Sequence, residues 1–416
     1  MGIIKRIIKS PIRKLYKYLT LKVIYPRVYK KYAKQPVDKR KVVFVEMRVD
    51  KLRNCFHVLY DELVRKYDLE INVHFMQLGF VSKIEAYQRN VALIKDMATA
   101  KYIFIAEASN VLGCVKIRRE TGVTQLWHGA GAFKKFGLST AELIFGETKD
   151  EYFKYPSHEN YKTVTVSAPE VIWAYEEAMD FSHDSGVVKA LGVSRSDVFY
   201  DKEFIDTASE KLKKAIPQSA DKKVILYAPT FRGRVASAQA PDAIDIQQLK
   251  QALSDEYILL VKHHPVIKEL PEIPKESSDF AWDLTNDFSI EELICVADIC
   301  ISDYSSLIFE YSIFEKPMIF FAYDIDDFND WRGFYYDYDE MTPGPIYTTN
   351  EEIIKYIKNI DKEFDKAEVH AFREKFMVSC DGSATKRIIA DAFGTDLEQY
   401  KRVQPLKKGD YELPKV

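Results

Sequence analysis

Cysteine is scarce in this chain. The five residues present, Cys55, Cys114, Cys295, Cys300 and Cys380, are scattered and odd in number, and none forms a C-x-x-C pair. That pattern argues against a disulfide framework or a structural zinc site and makes a reducing interior the default. Long apolar runs are missing too: no stretch of about 20 apolar residues occurs, so no membrane-spanning helix is expected. No apolar segment follows the basic start, so no secretory signal is expected. Internal repeats and low-complexity stretches are absent. Residues 1–34 contain no Asp or Glu but 11 Lys or Arg. The rest of the chain is therefore net acidic, which speaks against general nucleic-acid binding.

What remains is the composition of an ordinary globular protein, 47% apolar and 30% charged over 416 residues. That length suits two α/β domains of about 150–200 residues each. The 26 Tyr and 25 Phe fit large cores and sugar-like or nucleotide ligands, and equally a compositional bias. In the basic segment Ile4, Ile7, Ile8, Ile12, Leu15 and Leu19 recur at helical spacing. Lys5, Arg6, Lys9, Arg13, Lys14 and Lys17 fill the other face. Pro11 predicts a kink or two short helices. Such a helix can lie in an anionic headgroup layer; the alternative is a helix packed on the protein with a solvated basic face.

From residue 41 strands and helices alternate. Lys41–Val49, Ile71–Gln77, Lys101–Glu107, Val123–Trp127, Val164–Ser167 and Val187–Leu191 read as strands of a first lobe. Ser209–Lys223 reads as a helix and polar connector. Val224–Ala228, Tyr257–Val261, Ala297–Ser302 and Met318–Ala322 are then strands of a second lobe, with helices at Gln247–Leu253 and Ile290–Val296. The expected fold is α/β, two Rossmann-like doubly wound domains facing a cleft. The expected divisions are a basic segment 1–34, domains 35–208 and 209–395, and a tail 396–416.

Ligands of open α/β sheets bind beyond the carboxyl ends of the strands, and four strand-end loops carry suitable groups. His128, followed by Gly129 and Gly131 and then Lys134 and Lys135, can take a proton from an attacking hydroxyl; a hydrogen-bonded turn histidine is the bland alternative. Thr230, Arg232 and Arg234 suit phosphate oxygens, or are a solvated loop. Lys262, His263 and His264 precede Pro265 and could stabilise a diphosphate. Alternation in an extended segment lets only one of the two histidines face the cleft. A zinc reading lacks a third ligand at metal spacing. Ser305 and Ser306 open a helix, as caps or as a phosphate site, and Glu310 lies one turn on, where it could reach a ribose or polyol hydroxyl. Asp324, Asp326 and Asp327 read as a solvated loop rather than a metal site.

These loops, with further landmarks in order along the chain, resemble the CDP-glycerol glycerophosphotransferase family of teichoic acid primases and polymerases. The landmarks are Trp127-His-Gly129, Gly192-Val-Ser-Arg-Ser-Asp197, Ala228-Pro-Thr-Phe-Arg232 and Lys262-His-His-Pro265. Beyond these come Ser302-Asp-Tyr-Ser-Ser306, Lys316-Pro-Met-Ile-Phe-Phe321, Arg332-Gly-Phe-Tyr335, Pro343-Gly-Pro345 and Asp381-Gly-Ser-Ala-Thr385. The match spans roughly Thr121 to Ile389; residues 35–120 agree only in fold pattern. The resemblance implies a GT-B-type fold and transfer of polyol phosphate from CDP-glycerol or CDP-ribitol, with release of CMP. The implied acceptor is an undecaprenyl-diphosphate-linked saccharide or a growing polyol-phosphate chain. It further implies His128 as the base, His264 as a second essential histidine near the diphosphate, and Ser305 and Ser306 as phosphate-holding hydroxyls. Thr230, Arg232, Lys262 and Glu310 complete the expected donor site, and no metal or cofactor is assigned. The implied location is peripheral, on the cytoplasmic face of an anionic membrane. Ala130-Gly-Ala-Phe133 replaces the family's usual Thr-Pro-Leu, with one extra residue, and Glu310 stands where Asp is usual. Both leave the polyol open. The absence of a long N-terminal extension favours a short, primase-like enzyme. A GT-B glycosyltransferase using a nucleotide sugar is the nearest rival, and a membrane-bound nucleotide-binding scaffold a more distant one.

Overall fold

The structure, a computed structural model, describes residues 11–141, 143, 146–233, 237–241, 243–326 and 333–415. The first ten residues of the basic segment, Arg234, Asp327 and Arg332 lie outside the described residues.

Two six-stranded sheets organise the chain. The first comprises β1 (Asp38–Glu46), β2 (Glu70–Phe75), β3 (Ala100–Ile105), β4 (Gly122–Gln125), β5 (Thr163–Thr165) and β6 (Val188–Lys189), in the order β2-β1-β3-β4-β5-β6. The second comprises β7 (Lys223–Tyr227), β8 (Tyr257–Val261), β9 (Ala281–Asp283), β10 (Ile299–Ser302), β11 (Met318–Phe321) and β12 (Ile346–Tyr347), in the order β12-β11-β10-β7-β8-β9. Every pairing is parallel. Strands β8 and β11 are buried at every position, as expected of parallel strands covered on both faces. Strand order reverses between β1 and β3 in one sheet and between β7 and β10 in the other. Those switch points are where such sheets leave a crevice.

The expected helix Ile290–Val296 forms, fixed at its start by a reciprocal capping box between Ser289 and Glu292. The helix expected from Ser209 instead spans Lys202–Ala215, because Asp201 caps it by accepting from Glu203 N. Edge strands β9 and β12 were not anticipated.

The chain crosses back at its end. Helix Ala384–Phe393, in the range expected for the second lobe, packs on the first sheet, where Phe393 lies 4.1 Å from the Tyr102 ring and shares a core layer with Phe44 and Phe104. The Asp197 carboxylate holds the start of this helix, accepting from Ala384 N (3.1 Å) and Thr385 N (2.8 Å). Two of the sequence landmarks therefore meet in one cap. Beyond it, Asp68 N donates to Tyr400 O and Leu52 N to Pro414 O, tying the tail to the first lobe.

The basic segment divides in two. Tyr25 and Tyr29 are buried against the first lobe, with Asn90 donating to the Tyr25 hydroxyl (3.1 Å) and Arg118 N to that of Tyr29 (3.0 Å). Ile12 and Leu15, by contrast, are 64% and 57% exposed. No helix of the described residues is long and apolar enough to cross a membrane.

Candidate active site

Strand β4 ends at Gln125, whose side-chain oxygen accepts from Trp127 N (3.0 Å) and folds the chain back on itself. Trp127 takes φ +56°, in the left-handed region that side chains disfavour. The turn lifts His128 out of the sheet into the space between the lobes. There Nδ1 lies 3.1 Å from Ala106 O. A carbonyl can only accept, so Nδ1 carries the proton and Nε2 keeps its lone pair. His128 keeps exposed surface, yet protein groups crowd its ring. Desolvation by the surrounding protein therefore lowers its pKa most, Glu107 and the Ala106 hydrogen bond oppose this, and Arg53 and Arg195 reinforce it.

The glycines after His128 permit a close approach. A Cβ on Gly131, at φ +64°, would run into the Phe309 ring, and one on Gly129 would sit 3.4 Å from Ser306 Oγ. Phe309 and Ser306 belong to the second lobe, at the short helix Leu307–Tyr311. Lobe contact continues through Phe133, 5.4 Å from the Phe334 ring, and through Lys135 N donating to Gly333 O.

On that second lobe Ser306 precedes the helix without spending its hydroxyl on a cap, while Ser305 Oγ accepts from Leu307 N (3.4 Å). Of the paired histidines, His263 is buried and His264 exposed, as the alternation of an extended segment requires. His264 Nδ1 accepts from Val266 N (3.2 Å), so in the neutral ring the proton sits on Nε2. Although the residue keeps an exposed edge, desolvation by the loops around its ring, then the charges of Lys134 and Lys262, push its pKa down to about 4. Lys134 comes from the His128 loop, so the loops of the two histidines adjoin. Thr230, after β7, is buried and donates its N–H to Asp303 (2.8 Å), while its hydroxyl has no hydrogen-bond partner among the described residues.

Three further expected donor-site residues have partners within the protein. Arg232 donates to both oxygens of Asp324 (2.5 and 2.9 Å) and to Thr230 O (2.6 Å), and lies 3.0 Å from Asp303 Oδ2. Its fork organises the loop from within, and Asp324 is its partner rather than part of a solvated loop. Lys262 is buried and donates to the carbonyls of Thr285 and Phe288 (both 2.6 Å). Glu310 is buried beneath its helix, where it accepts from Arg195 (2.8 Å); four residues past Ser306 is the inward face. Sequence reasoning missed Arg195, quoted only within a landmark, and Glu107. The Glu107 carboxylate closes the end of β3 through Arg48 (2.7 Å) and Arg53 (2.6 Å). Its signal was the strand-end position it shares with His128. Among the described residues no cluster of His, Cys, Asp or Glu is placed to hold a metal ion.

Residues 27–394 match the family model of CDP-glycerol:poly(glycerophosphate) glycerophosphotransferases. The chain belongs to this family. Among its curated members it is 36% identical over 357 residues to a teichoic acid poly(ribitol-phosphate) polymerase of Bacillus spizizenii, covering 85% of this chain and 56% of that one. It is 35% identical over 358 residues to a teichoic acid ribitol-phosphate primase of the same organism, covering 85% and 90%. The chain thus spans little more than half of the polymerase and most of the primase. A structure of the wall teichoic acid polymerase TagF superimposes with TM-score 0.73 at 22% identity, covering 93% of this chain and 98% of that one. The two-sheet fold of this family member is therefore the fold of TagF.

Proposed function

We propose that this protein is a CDP-polyol polyolphosphotransferase with a GT-B-type arrangement of its two lobes. It moves glycerol phosphate or ribitol phosphate from the CDP-linked donor to a lipid-linked saccharide or growing polyol-phosphate acceptor. The observation that carries the reading is that His128 Nδ1 faces a carbonyl and His264 Nδ1 an N–H, on adjoining loops of facing lobes, which puts the free lone pair on Nε2 of the one and the proton on Nε2 of the other. His128 Nε2 accepts the proton of the acceptor hydroxyl as that oxygen attacks the β-phosphorus. A new P–O bond forms, the bond from the β-phosphorus to the bridging oxygen breaks, and CMP leaves with the electron pair. His264 Nε2–H and the Ser305 and Ser306 hydroxyls are donors for the phosphate oxygens, with Thr230 at the switch point behind them. Arg232, Lys262 and Glu310 hold these loops in place. A groove of about 710 Å³ lined by Arg232, Gln239, Pro241 and Tyr323 adjoins the loop after β7 and has room for a nucleoside.

The two curated relatives named above handle ribitol phosphate, whereas the family description names CDP-glycerol, so both donors are carried. Exposed Ile12 and Leu15 beside exposed Arg13 and Lys14 support a peripheral position on the anionic cytoplasmic face of the membrane, where a lipid-linked acceptor resides, whereas Lys17 is paired with Glu151 (3.0 Å). The test is a panel of CDP-ribitol, CDP-glycerol and UDP- and GDP-sugars with a lipid-linked acceptor. CMP release from a CDP-polyol is expected. Sugar transfer without CMP release would replace this reading with a nucleotide-sugar glycosyltransferase.

A further inference from the structure

The guanidinium of Arg195 sits where three parts of the site converge. Nη1 donates to His128 O (2.8 Å), and Nη2 donates to Glu310 Oε2 (2.8 Å) and lies 3.1 Å from Glu291 Oε1. Nε lies 2.8 Å from Glu310 Oε1, a charge contact off the hydrogen-bonding line. The cluster is enclosed: the side chains of Arg195, Glu291 and Glu310 are 14%, 4% and 3% exposed. Asn54 donates to the other oxygen of Glu291 (2.5 Å).

The backbone of Arg195 belongs to the first lobe. Its segment Ser194–Tyr200 follows β6 and is anchored by the Asp197 cap on the last helix and by Ser194 Oγ against Thr385 Oγ1 (2.9 Å). Glu310 belongs to the second lobe, on the helix that begins directly after Ser306. The peptide that Arg195 holds follows Trp127, whose left-handed φ persists only where the surroundings over-determine it. Gln125 fixes that turn from one side, and Arg195 fixes it from the other. An arginine fork can bind a carbonyl and a carboxylate at once; a lysine ammonium has no such planar reach.

We propose that Arg195 is a positioning residue that latches the His128 loop to the helix carrying Ser305 and Ser306, so that the base and the phosphate donors keep one fixed spacing. It touches no reacting atom and acts through the His128 peptide and Glu310. Without Arg195 the buried Glu291 carboxylate, and Glu310 wherever it is ionised, are left uncompensated in the lobe contact.

This inference rests on the proposed transfer reaction, and its test separates the two. Arg195→Lys, Arg195→Met and the charge-balanced double variant Arg195→Met with Glu310→Gln are compared with wild type by CMP release and by amide hydrogen exchange. Loss of the latch is expected to accelerate exchange in the peptide spanning Trp127–Phe133 about tenfold, with β3 unchanged. It is also expected to lower kcat about 100-fold while KM for the CDP-polyol stays within about threefold. Arg195→Lys, which keeps charge and one contact, should fall between. Should Arg195→Met fail to fold, the lysine and double variants carry the same comparison. Faster loop exchange with kcat within about twofold of wild type overturns the positioning role, as does unchanged exchange. Wild-type enzyme that releases no CMP from either donor refutes the transfer reaction instead, and the exchange data alone then judge the latch.

Discussion

His128 and His264 hold their ring protons on opposite nitrogens, because one Nδ1 faces the Ala106 carbonyl and the other faces the Val266 N–H. The pair is thus divided in advance into an acceptor and a donor at Nε2. Substitution separates the two roles. An amide side chain can donate a hydrogen bond but cannot take up a proton, so His264→Gln should keep markedly more activity than His264→Ala. His128→Gln should lose as much as His128→Ala, on the order of 10²–10⁴-fold in kcat. Equal losses for the two His264 variants, measured by CMP release, would count against a donor role.

The same pair predicts the acid side of the pH profile. A base at His128 works only when neutral, so the rate rises with pH through its pKa, which enclosure holds below the usual histidine range. Glu107 opposes that lowering. Glu107→Gln should therefore move the acid limb of kcat/KM to still lower pH. His264, held near 4, is neutral throughout and should add no second inflection above pH 5. A shift of the limb upward in Glu107→Gln contradicts the assignment.

Much of this arrangement could be read from residues alone, and the exceptions share a physical cause. Buried runs such as Tyr257–Val261 announce themselves, and the loop after such a run lies at the crevice end of the sheet, where His264 is exposed while His263 turns inward. What residue types cannot reveal is which polar groups are already spent. Arg232, Lys262 and Glu310 have the right chemistry at the right strand ends, yet Asp324, the Thr285 and Phe288 carbonyls and Arg195 occupy them. These partners lie 23 to 115 positions away in the chain, and no local pattern links them. Nor does any local pattern show that helix Ala384–Phe393 packs on the first sheet: its cap, Asp197, lies in the other half of the sequence.

The close approach of the lobes at Gly131 can be isolated by comparing two alanines. Gly131 and Gly186 share nearly the same φ, +64° and +63°, but a Cβ at Gly186 meets nothing within 4 Å, whereas at Gly131 it meets the Phe309 ring. Gly186→Ala should cost only the backbone strain, about 1 kcal/mol. Gly131→Ala adds overpacking of about 1–3 kcal/mol and displaces the helix behind Ser306, so kcat should fall as well. Equal urea midpoints for the two variants would sink the claim that this glycine is required by contact between the lobes.

Glu310 makes a prediction about stability rather than rate. Burial pushes its carboxyl up to about 7 from the ordinary 4.5, with Arg195 pulling it down and Glu291 pushing it further up. The folded chain therefore holds a proton that the unfolded chain releases between those values. Linkage then makes the contribution of Glu310 complete below about pH 4.5 and progressively lost as pH rises through about 7. Glu310→Gln keeps the shape and hydrogen-bonding capacity of the protonated acid without the titration. The stability difference between wild type and Glu310→Gln, from urea unfolding at a series of pH values, should accordingly shift against wild type as pH rises from 5 to 8. A difference flat across that range would mean that Glu310 stays ionised throughout, and that Arg195 neutralises it despite Glu291.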